Sequence, residues 1–153
     1  MPQIQSIHLH IQTGNLSGAG TDGDVYLGLC AREFSIDTTR DDFERGAART
    51  YILGEGANIN NPAVNDPRSH LLLTENVANF PVYVRFRPRS RTDNWQLQRA
   101  SVRFNDSIHL DWDTAHFIAM DPTQGIWLGV RSGLVVHLPD HDHAPVPVKP
   151  VSY

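Results

Sequence analysis

His8 and His10 stand at alternate positions near the start of the chain. On an extended strand such a pair puts both imidazoles on one face, a spacing that suits a metal ion. His109, Asp111 and Asp113 repeat the alternation with two carboxylates, and Asp140-His141-Asp142-His143 places four more donors in a row that could chelate a transition metal. Arg85, Arg87, Arg89 and Arg91 carry a cation at every second position. In extended chain they would line one face, suited to anionic lipid headgroups or to a carboxylate patch on a protein partner. Between Thr13 and Asp24 lie four glycines, with Asn15, Ser17, Thr21 and Asp22 among them. That stretch is rich in the oxygen donors a hard cation takes.

Each pattern also has a plainer reading. Alternation demands polar residues on the wet face of a half-buried strand, which accounts for both histidine sets. Arginines pair across strands with Asp and Glu, contributing little on a surface. Glycines serve loop geometry. A flexible stretch such as 140–143 has no preformed ligand geometry and reads as a solvated linker.

Several function classes lose their basis. No nucleophile–base pair is visible, and Gly18-Ala19-Gly20 does not open a helix after a strand, so it is not a nucleotide loop. The formal net charge of -4 argues against general nucleic-acid affinity. Cys30 is the single cysteine, so no internal disulfide forms. Residues Met1 to Gln5 lack the basic start and apolar stretch of a signal peptide, and no apolar run reaches transmembrane length. The expectation is a cytoplasmic protein.

The elements that must position these residues are strands. Ile7, Leu9 and Ile11 alternate with His8, His10 and Gln12; Val25, Leu27 and Leu29 alternate with Tyr26, Gly28 and Cys30. Phe34–Ile36 follows across a short hairpin at 31–33. Tyr51–Leu53, Leu71–Leu73 and Val82–Phe86 read as further strands, with Pro88 ending the last. Trp95 and Leu97 share one face but Ala100, Val102 and Phe104 the other, so a bulge near Arg99 is expected. Ile108, Leu110 and Trp112 form a hairpin partner, and Ile126–Val130 and Leu134–Leu138 flank Ser132-Gly133 as another hairpin. Residues 37–50 and 54–68 are polar connections. From Pro139 the alternating prolines favour an extended tail, 139–153, that contributes little to stability. Short strands between turn signals predict an all-β sandwich over residues 1–138.

Three motifs in this order resemble a known family. Thr13-Gly14, then Gly18-Ala19-Gly20-Thr21-Asp22 and Val25-Tyr26, is similar to the opening of a PLAT domain, the module of polycystins, lipoxygenases and alpha-toxin. Phe43-Glu44-Arg45-Gly46 resembles its second element, and Asp93-Asn94-Trp95-Gln96-Leu97 its third, without the usual glycine-containing spacer. The resemblance covers about residues 6–130. It implies an antiparallel, eight-stranded β-sandwich that is not an enzyme and binds lipid, a membrane surface or a protein partner, often with calcium. Carried onto this chain, the calcium donors are Gly20, Asp22, Asp93 and Asn94. They number four where six to eight are wanted. Many PLAT domains carry a longer polar loop where this chain has Ala31-Arg32-Glu33, and that loop supplies part of the calcium shell. Leu16 at the first loop's tip joins Arg85, Arg87, Arg89 and Arg91 as the contact set for lipid or partner. The rival reading is a small metal-dependent, cupin-like enzyme using His8, His10 and nearby carboxylates. A third is a subunit-interface domain without a ligand.

Overall fold

The computed structural model describes residues 2–107, 110–115 and 125–141. It is an antiparallel β-sandwich with nine strands among those residues: β1 (Ser6–Thr13), β2 (Asp24–Leu29), β3 (Arg32–Ile36), β4 (Ala48–Gly54), β5 (Tyr83–Arg87), β6 (Trp95–Phe104), β7 (Asp111–Asp113), β8 (Ile126–Leu128) and β9 (Val135–His137). One sheet runs β4-β1-β6-β7, with β8 also on β6; the other runs β3-β2-β5-β9. The count exceeds the expected eight because β6 is long enough to pair two short strands in line. Trp95–Leu97 takes β8 and Ser101–Arg103 takes β7.

The core lies between the sheets, and alternation built it. Ile7, Leu9 and Ile11 face Val25, Leu27, Leu29, Val84 and Phe86 across the interior, all buried. The bulge is present. Gln12 pairs Arg99 but Thr13 pairs Leu97, so Gln98 is the extra residue. It shifts the phase of β6 and lets Trp95 and Leu97 share the core with Ala100, Val102 and Phe104.

Two expected strands and hairpins are absent. Leu71–Leu73 is not a strand. Asp66 caps a short 3-10 turn, Pro67–His70, by accepting from the Arg68 amide, with proline at its start. Leu71 then turns left-handed and is largely exposed, and a second 3-10 turn spans Thr74–Asn79. A run of three leucines without alternation gave no basis for choosing between these forms. The segments around Ser132-Gly133 do not form a hairpin either. β8 joins one sheet and β9 the other, and only Gly129 and Gly133 pair across the turn. Of the strand expected at Ile108–Trp112, residues 108 and 109 lie outside the described residues, and β7 begins at Asp111.

The chain also continues its pairing beyond Leu138. The Asp113 amide donates to Pro139 O at 3.0 Å, the His141 amide to Asp111 O at 2.8 Å, and Trp112 bridges Asp140. Removing Pro139–His141 would remove these bonds, so at least this part of the expected tail is joined to the sheet. Residues 142–153 lie outside the described residues.

The β2–β3 connection is a two-residue turn at Cys30-Ala31, with φ of 48° and 60°. Both positions favour glycine or asparagine, because a Cβ in the left-handed region crowds the following carbonyl. Ala31→Gly is therefore expected to stabilise the protein by about 0.5–1 kcal/mol, the relief of strain exceeding the added chain entropy. A rise in the urea midpoint at unchanged m-value checks it. Burial pushes the Cys30 thiol up, away from the reactive thiolate.

Candidate functional site

One end of the sandwich gathers the loops that carry the three sequence motifs. β1 ends there at Thr13, β2 begins at Asp24, β5 ends at Arg87 and β6 begins at Trp95. The loops are stitched together by backbone. Gly14 donates to Gln96 O, Gly46 to Gly14 O, Thr21 to Phe43 O and Gln96 to Ala19 O. Gly20 packs so close that a Cβ would stand 2.7 Å from the Arg45 nitrogen, so only glycine fits. Phe43, at φ 61°, is buried between Tyr51 and Trp95, with ring centroids 5.5 and 5.4 Å away. The Arg45 Nε donates to Asn15 O at 2.9 Å.

Asp93 joins two of these loops. One carboxylate oxygen accepts from the Thr21 hydroxyl at 2.7 Å, the other from the Arg89 amide at 2.8 Å. Thr21 Oγ1 in turn accepts from the Gly23 amide. Trp95 fills the core directly behind.

Of the four expected calcium donors, Gly20, Asp22 and Asp93 line one open cleft of about 360 Å³, with Thr21 and Glu44. Asn94 does not line it. Its Oδ1 packs against Gly129, and its amide donates to Thr92 O at 3.3 Å. Arg45 and Arg89 line the same cleft, and the Arg89 Nε already donates to Asp22 O at 2.9 Å. A guanidinium sits on a loop carbonyl, and both Asp93 oxygens hold protein hydrogens. The three donors that share the cleft, with two arginines beside them, fall short of the six to eight oxygens that calcium takes.

The arginine row breaks where β5 ends. Arg85 is committed to Glu33, with Nε at 2.7 Å and Nη2 at 2.9 Å, and stacks over the Tyr26 ring at 4.2 Å. The bond from Arg85 holds the Glu33 carboxyl below the usual carboxylate range. This is the plain cross-strand pair. Arg87 remains exposed at the strand's end, Arg89 enters the cleft, and Arg91 lines a groove with Thr92, Asn94, Val130 and Arg131. Leu16 is exposed on the first loop and Val130 on the turn after β8, 39% and 53%. Val130 and Arg131 escaped sequence reading because nothing local places 129–133 beside 88–94.

His8 and His10 lie on the outer face of the first sheet. His10 bonds Thr50 Oγ1 at 3.2 Å, and burial together with the Arg99 charge holds its imidazole below the ordinary value. Among the described residues neither belongs to a group of three metal-ligating side chains. The rival enzyme reading is thus left without further ligands there.

A different group is assembled. Asp111 and Asp113 were expected on a wet strand face, but they are buried, 9% and 3% exposed. The cover comes from the chain after β9, which pairs with β7. His141 Nδ1 lies 2.7 Å from Asp113 Oδ2, and Arg103 Nε lies 3.5 Å from Asp111 Oδ2. Burial, with the charge of Asp113, pushes the Asp111 carboxyl above the usual range. His109 lies outside the described residues.

Similar architecture occurs in solved toxins and enzymes. The alpha-toxin of Clostridium perfringens from avian strain SWCP matches with a TM-score of 0.60 and 17% identity, over 90% of this chain and 32% of that one. The alpha toxin from Clostridium absonum matches at 0.57 and 19%, over 88% and 31%. A deletion variant of LOX in complex with arachidonate matches at 0.50 and 13%, over 87% and 16%. The chain therefore spans a third or less of each of these proteins, and the likeness is one of fold. No protein-family model matches, and no curated protein matches in sequence.

Proposed function

We propose that this chain is a PLAT-like, non-catalytic binding module that docks its loop end on an anionic lipid surface. The observation that carries this reading is the grouping at one end of exposed Leu16 and Val130 with Arg87, Arg89, Arg91 and Arg131. The fold likeness to alpha-toxins and to LOX, and the three sequence motifs, support it. No helix among the described residues is long and apolar enough to cross a membrane.

The energies set the character of the binding. Full burial of an aliphatic side chain contributes roughly 1.5–3 kcal/mol, and each arginine near an anionic surface about 1 kcal/mol. The net charge of -4 opposes approach from a distance, but salt screens it beyond about 8 Å. The arginines act at contact, inside that range. Binding is weak, reversible and salt-sensitive.

The protein is expected to co-sediment with phosphatidylserine vesicles at low salt and to leave phosphatidylcholine vesicles in the supernatant. Arg91→Glu with Arg131→Glu is expected to reduce binding at least about tenfold, since two contact charges are reversed. Calcium or a chelator is expected to make no difference, because arginine lines the cleft. Absence of binding to both vesicle types at low salt would overturn the lipid reading and leave a protein partner for the same surface.

A further inference from the structure

We propose that Asp111, Asp113 and His141 form a binding site for a divalent transition-metal ion, zinc foremost. One ligand atom from each residue lies within 4.8 Å of the other two. Two carboxylates two positions apart on a strand point the same way, and here both are removed from water. Like charges held together in a buried site repel, and a cation between them removes that cost.

The present partners leave the site short of compensation. Asp113 is bonded on both oxygens, by His141 and by the Ala115 amide. Asp111 is not. Its Oδ2 has Arg103 only at 3.5 Å, and its Oδ1 is fully buried with no hydrogen-bond partner. A buried oxygen without a donor carries its whole desolvation penalty, and native proteins seldom leave one. A metal ion satisfies it.

The position of His141 is set by backbone rather than by chance approach. Its amide donates to Asp111 O, and the Asp113 amide donates to Pro139 O, so the histidine is held beside the strand that carries both carboxylates. Zinc bonds of about 2.0–2.1 Å place tetrahedral ligands about 3.3 Å apart. Rotation of the exposed His141 ring and small carboxylate shifts would close the spread to that distance. The Nδ1 would then exchange Asp113 for the metal, and water would fill the fourth position. Two oxygens and one imidazole suit zinc and its neighbours in the first transition row. Calcium and magnesium prefer oxygen alone. The ion would clamp the chain where it passes from β9 of one sheet to β7 of the other.

The test uses the full, tag-free chain treated with chelator and then titrated with zinc chloride. Calorimetry is expected to give one ion per chain, and zinc to raise the Tm while calcium and magnesium do not. His141→Ala alters an exposed side chain and should fold. It is expected to weaken zinc binding more than about 100-fold, since even an outer-shell partner costs 10–100-fold when removed. His8→Ala with His10→Ala, and truncation after His141, are each expected to bind zinc as the parent does. No zinc binding by the parent, unchanged binding by His141→Ala, or loss of binding on truncation would each overturn the proposal. The last of these outcomes would place the ligands in 142–153 instead.

Discussion

Trp95→Ala is expected to cost about 3–5 kcal/mol, a large share of the roughly 5–15 kcal/mol by which a domain is ordinarily stable. Trp95 is completely buried at the start of β6. Its ring lies 5.4 Å from Phe43, edge to face, and 5.7 Å from Phe86. It therefore packs the second motif, Phe43-Glu44-Arg45-Gly46, onto both sheets. Its indole Nε1 donates to Thr13 Oγ1 at 2.9 Å, and Thr13 is itself buried. Truncation leaves a large cavity, ends two aromatic contacts and strands the threonine hydroxyl. Trp95→Phe keeps most of the volume and loses the bond, so a loss of about 1–2 kcal/mol is expected there. Urea unfolding separates the two variants. Equal, small losses for both would show that the ring is not the centre of packing at this end.

Asp42→Ala is expected to cost about 2–4 kcal/mol, the largest effect of any single polar change at the loop end. The Asp42 side chain is 5% exposed. It accepts from the Thr38 amide at 2.7 Å and the Thr38 hydroxyl at 2.8 Å, from Arg49 at 2.9 Å and from the Tyr51 hydroxyl at 3.1 Å. One carboxylate thus fastens the polar 37–47 connection to β4. Its removal leaves a buried phenol and a guanidinium without their acceptor. Burial first, and the Asp42 charge second, push the Tyr51 phenol well above its usual range. In Asp42→Ala that phenol is expected to ionise at lower pH than in the parent while remaining raised by burial. Spectrophotometric titration, followed below the pH at which either protein unfolds, reads the direction of this change. An unchanged tyrosine titration together with a loss under about 1 kcal/mol would remove Asp42 from the role of anchor.

The three family-like motifs show how a pattern can be visible while its work is not. Gly20 is required by the nearness of the Arg45 backbone. Asp93 is held in place by Thr21 and the Arg89 amide. Phe43 and Trp95 hold the end of the core together. Their residue types and order could be read along the chain. Whether a carboxylate faces a cation, a hydroxyl or an amide depends on neighbours about seventy residues away, as with Thr21 and Asp93.

Period-two alternation set β1, β2 and β5, and the break in phase at Arg99 set the bulge, because pleated backbone turns each successive side chain to the opposite face whatever lies around it. That is a local property and needs no partner. Partner choice is not local. Ile126–Leu128 and Val135–His137 look like the two arms of a hairpin, yet each completes a different sheet, because the open ladder edges of β6 and β5 were available. In the same way Asp111 and Asp113 read as a wet face until Pro139–His141 closed over β7 and took water from both carboxylates. Strand character follows from backbone geometry, whereas the burial of those charges and their meeting with His141 follow from a chain reversal through the opposite sheet, and only the folded chain brings them within 4.8 Å.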